Sequence, residues 1–271
     1  MKTLESSLEI LQHFFGADGS LSVGEVAARS GFPKGKVSKI LAVFRDFGYL
    51  AQDPVSRRYR IGYKAFALGA LYAKDHPLAA DALPIMREVV DWFQHTATLS
   101  VMAEENVFHL IAVEGPLFLD GRWRAGTILP YHATSAGKVL LSGFEPAALD
   151  DFIERHPLVP ITQSTVTKKD DFIQLLASVR KTGVAFSRGE SAPGLAAIAV
   201  PVFGKDDHIV AALGLIIPDH LFEIPNSDAM VAGLHRAASR LSVKQGASAY
   251  PFGNPTGAIP SGARRAFTGA V

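Results

Sequence analysis

The sequence predicts an α+β chain in two parts: an N-terminal winged helix-turn-helix joined by a linker helix to a larger domain built on an antiparallel sheet. Three observations carry this. Two short amphipathic helices meet at a Gly-containing turn over 22–47 and are followed by a short basic hairpin. Beyond residue 77, strand-like runs come in pairs interrupted by helical stretches, the pattern of an α+β domain. At 271 residues, 48% hydrophobic and 20% charged, the chain is long enough for two cores.

Leu4, Leu8, Leu11 and Phe15 lie at helical spacing, so 3–16 is expected to be a helix supporting the reading helix. Over 22–30, Ser22 as N-cap and Glu25 three residues on form a capping box, with Val23, Val26 and Ala27 on one face. Gly31 ends this helix and Pro33 suits the first turn of the next. That helix, 34–47, buries Val37, Ile40, Leu41 and Phe44 and presents Lys34, Lys36, Ser38, Lys39 and Arg45 on the other face. Residues 49–52 and 58–61 alternate as two strands around the turn 53–57, the form of a wing carrying Arg57 and Arg58. The DNA-binding domain is therefore read as 1–62. Phe66, Leu68, Leu71 and Tyr72 mark a linker helix within 63–76, closed by His76-Pro77.

Helices are expected at 82–94, 135–141, 146–154, 170–182 and 228–243, and strands at 98–104, 107–113, 184–187, 196–203 and 209–217. Together they define the second domain, 77–243. The last 28 residues, 244–271, hold five Gly, three Pro and no acid, and read as a disordered tail.

Charge separates the two parts. Between Lys34 and Lys64 stand eight Lys or Arg against two acids, on a chain whose total is only +1. Such a local basic patch is the footprint of phosphate binding, here to double-stranded DNA. The start lacks the apolar core of a signal peptide, and the longest apolar runs are about half a membrane span, so a cytoplasmic protein without a membrane partner is expected. Without cysteine there is no disulfide or thiolate metal site, and the nine histidines show no ligand spacing, so neither metal nor cofactor is expected.

The segments Gly31-Phe32-Pro33-Lys34, Phe47-Gly48-Tyr49-Leu50 and Tyr59-Arg60-Ile61-Gly62 resemble the N-terminal domain of IclR-family transcriptional regulators. Residues 129–141, 165–167, 179–183 and 189–202 resemble the family's effector-binding domain, and the likeness runs over about 4–243. Gly35-Lys36 and Ser38-Lys39 depart from the family's usual residues, so base preference does not carry over. The resemblance implies a GAF-like sheet domain, homodimers associating into homotetramers, and operator binding, as repressor or activator, modulated by a small organic or aromatic acid. Carried onto this chain, the family's effector positions are Phe118 and Leu129 as apolar wall, Ser135 and Ala136 at a helix start, Ser187, Leu195 and Ala197 along one strand region, and Gly214 and Ile216 on the last strand. The start of a helix near Ser135 offers free N–H groups to a carboxylate, with Arg122, Arg124 and Arg188 as candidate clamps.

Two other readings compete with this. Ser135-Ala136-Gly137-Lys138 and Lys181-Thr182-Gly183 match two motifs of serine acyl-transfer enzymes, yet no S-D-N lies between them and the second falls at a helix end. A ligand-independent DNA-binding protein would leave two-thirds of the chain, a separate apolar sheet domain, unexplained.

Overall fold

The computed structural model describes residues 2–15, 19–116, 125–222 and 224–253, and its contacts divide into two units, 1–76 and 77–271. In the first unit α1 (Lys2–Gln12), α2 (Val23–Ser30) and α3 (Lys34–Asp46) precede β1 (Leu50–Gln52), β2 (Tyr59–Ile61) and α4 (Tyr63–Asp75). Both halves of the Ser22/Glu25 capping box are present, and Gly31 ends α2 at φ 69°, in the left-handed region. Ile10, Leu21, Val26, Val37, Leu41, Leu50 and Tyr59 form the core. The strands pair antiparallel from Leu50–Ile61 to Gln52–Tyr59, and Leu21 bridges Tyr59.

The first helix packs differently from its sequence pattern. Its buried face is Ser6 and Ile10, continued by Phe14, whereas Leu4, Leu8 and Phe15 are more than half exposed. Of the stripe only Leu11 packs on this core, while Leu4, Leu8 and Phe15 lie outside it. The helix also stops at Gln12, short of 16. On α4, Tyr63, Phe66, Leu68, Leu71 and Tyr72 are likewise exposed.

The second unit holds α5 (Pro77–Phe93), β3 (Thr96–Ala103), β4 (Asn106–Val113), β5 (Ile128–Pro130), α6 (Ser135–Ser142), α7 (Pro146–Arg155), α8 (Lys169–Thr182), β6 (Ala185–Arg188), β7 (Leu195–Phe203), β8 (Ile209–Pro218) and α9 (Ile224–Lys244). The six strands form one antiparallel sheet in the order β5-β4-β3-β8-β7-β6. Alternation assigns its faces. Leu99, Ile198, Val200, Leu213 and Leu215 pack with Val89 and Phe93 of α5 and Leu234 and Leu241 of α9. On the opposite face Val107, Ala185, Ala199 and Ala212 meet Val139 and Leu140 of α6, Phe152 of α7 and Phe172 of α8.

Three expectations are corrected here. α5 begins at Pro77, five residues before 82, and runs through an exposed Pro84. β5 was not anticipated; it is three residues of edge strand paired with 106–108. The tail is not disordered from 244 onward. Lys244 completes α9, Ser248 binds Asp207, and Tyr250 and Phe252 pack on His235 and Phe203. Residues 254–271 lie outside the described ones. Among the described residues no helix is long and apolar enough to cross a membrane.

Candidate functional site

In the helix-turn-helix unit, α3 buries Val37, Ile40 and Leu41 and leaves Lys34, Ser38 and Lys39 exposed on its outer face. Arg57 is exposed at the wing, whose turn is tied by the Asp53 carboxylate accepting from Val55 N, Ser56 N and the Ser56 hydroxyl. Those hydrogen bonds, led by the Ser56 amide, lower the Asp53 pKa. Three other basic residues are held by the fold itself. Lys36 donates to the Ser6 hydroxyl at 2.7 Å and lies over the Phe32 ring. Arg58 donates to the Ser20 carbonyl and to Glu25, and Arg45 to Asp46 and Gln52. The Ser22 amide, the Ser22 hydroxyl and then Arg58 hold the Glu25 carboxyl at about 2. Of the seven residues predicted to meet DNA, Lys34, Lys39 and Arg57 thus present free cations outward, while Lys36 and Arg58 also brace α1 and α2.

In the second unit a cleft of about 450 Å³, counting its open mouth, lies between the sheet and the start of α6. Leu129 from β5, Ser135 and Ala136 from α6, and Ser187 from β6 line it. From the adjoining strands come Leu195 and Ala197 of β7 and Ile216 of β8. Seven positions inferred from sequence are therefore brought together. Phe118, Arg122 and Arg124 lie outside the described residues. Gly214 does not line the cleft; it sits in the sheet between Thr98 and Ala199, where a Cβ would stand 2.6 Å from the Ile198 carbonyl oxygen. Arg188 is not a clamp: its guanidinium pairs with Asp219 and lies over Phe222. Sequence reasoning also passed over Thr98, His109, Thr134 and Ser191, which supply most of the remaining polar lining.

The start of α6 is held firmly. Thr134 caps it by accepting from Gly137 N, and Ser187 Oγ donates to the Ala133 carbonyl at 2.9 Å. Helix geometry leaves the Ser135 and Ala136 amides without intrahelical partners. Gly137 is required because a Cβ there would fall 1.9 Å from the Tyr131 carbonyl oxygen. Lys138, fully buried, donates to Glu190 at 2.5 Å and to the Phe186 carbonyl at 2.9 Å. Burial lowers the Lys138 pKa, and Glu190 opposes that shift. The Thr165 hydroxyl donates to the Glu190 carbonyl at 2.8 Å, so Glu190, next to Ser191, is held both by α6 and by the segment before α8. No Asp, Glu, Lys or Arg lines the cleft among the described residues; its only titratable side chain is His109, which burial lowers to about 4.

This geometry disfavours the acyl-transfer reading. The ammonium of Lys138 is committed to Glu190 and Phe186, away from any role as a base for Ser135. Lys181-Thr182-Gly183 is a helix terminus, with Gly183 at φ 70° and its amide donating to Val179.

A basic helix-turn-helix with a wing, followed by a sheet domain with an uncharged cleft at a helix N-terminus, defines a DNA-binding regulator with a separate ligand-binding domain. Family models extend this to a particular class. The bacterial transcriptional regulator IclR C-terminal model matches residues 70–243, and the IclR helix-turn-helix model matches 3–54. The chain belongs to the IclR family of transcriptional regulators.

It is similar to the HTH-type transcriptional regulator KdgR of Escherichia coli, with 28% identity over 88% of this chain and 90% of that protein. The glycerol operon regulatory protein of Streptomyces griseus is 29% identical over 80% and 85%. Among solved structures, an IclR transcriptional regulator from Alicyclobacillus acidocaldarius superposes with a TM-score of 0.78 at 24% identity, covering 91% of this chain and 99% of that one. An IclR homologue from Microbacterium hydrocarbonoxydans, complexed with 4-hydroxybenzoate, gives 0.72 at 21% identity over 90% and 98%. At these identities the structural likeness establishes the fold alone.

Proposed function

We propose that this regulator binds an operator as a homodimer, pairing into homotetramers, and that a small organic or aromatic acid in the sheet-domain cleft changes its operator affinity. The protein is not an enzyme in this reading, and it acts in the cytoplasm beside the chromosome. The observation that carries the proposal is the cleft itself: the free amides of Ser135 and Ala136 at one wall and apolar Leu129, Leu195 and Ile216 around it. Helix amides and dipole favour an anion by about 0.3–1 kcal/mol when exposed and more when partly buried. The 4-hydroxybenzoate complex of the Microbacterium hydrocarbonoxydans homologue supports an aromatic acid as one candidate. The exposed apolar residues of α1 and α4 support a second copy as their cover.

The test is thermal unfolding of the wild type against benzoate, 4-hydroxybenzoate, pyruvate and related acids. At a hundred times its Kd, a ligand binding only the folded state adds about 2.7 kcal/mol and raises Tm by several degrees. Ala136→Leu and Ala197→Met, both narrowing the cleft, should abolish the shift. No response to any acid, or an equal response in both variants, would overturn the proposal.

A further inference from the structure

His109 lies in the middle of β4, is 4% exposed, and faces the cleft beside Thr98. Its Nδ1 is 2.7 Å from Ser100 Oγ on the adjacent strand. Ser100 is fully buried and its hydroxyl has no other hydrogen-bond partner among the described residues, so its proton must go to His109 Nδ1. That assignment fixes the tautomer. Nδ1 accepts, and the proton of the ring sits on Nε2, which makes no hydrogen bond among the described residues. Burial keeps the ring neutral, so it offers a ligand one N–H donor and no charge.

The position of that donor limits what it can meet. The start of α6 is tied to β6 through Ser187 and Ala133, but α6 also packs across β7, β8 and β3, so its first residues line one cleft with His109 of β4. His109 stands on the sheet wall and the Ser135 and Ala136 amides on the helix wall, so a group held at those amides meets the imidazole only through the rest of the ligand. We infer that His109, oriented by Ser100, is a specificity-determining residue that selects carboxylic acids carrying a second, uncharged oxygen, a hydroxyl or keto group, remote from the carboxylate. The inference rests on the cleft reading above and adds to it the far end of the ligand. Thr98, facing the same cleft, is a second uncharged polar group beside that oxygen.

The experiment compares matched probes by isothermal titration: 4-hydroxybenzoate against 4-methylbenzoate, and 4-oxopentanoate against pentanoate. A net neutral hydrogen bond corresponds to about a threefold to tenfold preference for the oxygenated member in the wild type. His109→Phe should bring the ratio close to one whatever it does to both affinities together, and His109→Gln, which keeps an N–H donor, should restore part of it. Ser100→Ala, a smaller change, should also reduce the ratio because it releases the tautomer. Equal wild-type affinities, or a ratio unchanged in both His109→Phe and Ser100→Ala, would overturn the role of His109. If that occurred while Ala136→Leu still abolished binding, the cleft reading would stand without it. If no probe bound, or binding survived Ala136→Leu, both would fall.

Discussion

Replacing Lys138 by Met should cost the second unit about 3–5 kcal/mol, the range for leaving one member of a buried ion pair uncompensated. The structure places this case at the severe end of surface-to-core possibilities. The Lys138 side chain is fully buried and that of Glu190 is 11% exposed, so little water can replace the lost ammonium. Glu190 Oε2 already lacks a hydrogen-bond partner, and the substitution would strip Oε1 as well. Met matches the length of the lysine stem, which keeps the cavity term small. Both tryptophans, Trp92 and Trp123, belong to the second unit, so urea unfolding followed by their fluorescence reports this unit directly. For slopes of roughly 2–3 kcal/mol/M, the midpoint should fall by about 1–2 M. The double variant Lys138→Met/Glu190→Leu should recover more than half of the loss, because it removes the orphaned charge. A single-variant cost below about 1 kcal/mol, or a double variant no more stable than the single, would refute the argument.

Other consequences follow from charge and exposure. His95, His109 and His235 are lowered by burial to about 4, so each is neutral in the fold but protonates near 6.5 when unfolded; the second unit should lose stability as pH falls from 6.5 toward 4, on the order of 2 kcal/mol per histidine at pH 5. A urea midpoint unchanged between pH 7.5 and pH 5 would contradict this. In DNA titrations, Lys34→Ala and Lys39→Ala should each reduce the log–log salt slope by about 0.9 without altering stability. Lys36→Ala and Arg58→Ala should additionally lower the melting temperature of the first unit, since they release Ser6 and Glu25; salt slopes unchanged in all four would remove α3 and the wing from the interface. Leu68→Glu with Leu71→Glu, on the exposed face of α4, should halve the mass seen by light scattering, and an unchanged mass would exclude this helix from the dimer contact.

What could be read from the sequence was local. The capping box at Ser22, the stop at Gly31 and the apolar runs 196–203 and 209–217 are each written within a few residues, and each appears in the fold. Leu4 and Leu8 of α1 misled because periodicity reports an apolar face but not which partner covers it. β5 escaped notice because three residues at a sheet edge carry too short an alternation to register. The Lys138–Glu190 pair spans 52 residues and leaves no local trace, so the lysine of Ser135-Ala136-Gly137-Lys138 could be compared with an enzyme motif but not explained. A signal for the polar wall did exist. Thr96, Thr98 and Ser100 alternate with Ala97, Leu99 and Val101, and His109 interrupts an apolar strand, a pattern of one polar face turned inward. Tyr250 and Phe252 were hidden by averaging composition over the whole of 244–271.

The central claim is that an acid in the cleft controls binding to DNA, and an operator titration tests it most directly. A duplex selected from a random pool by the purified protein would be titrated by fluorescence anisotropy, with and without whichever acid raises the wild-type melting temperature most. Coupling between two sites typically shifts affinity about 5- to 150-fold. The wild type should show a change in Kd within that range, and Ala136→Leu none, with the two proteins alike when no acid is present. A shift that persists undiminished in Ala136→Leu, in either direction, would place the control outside this cleft.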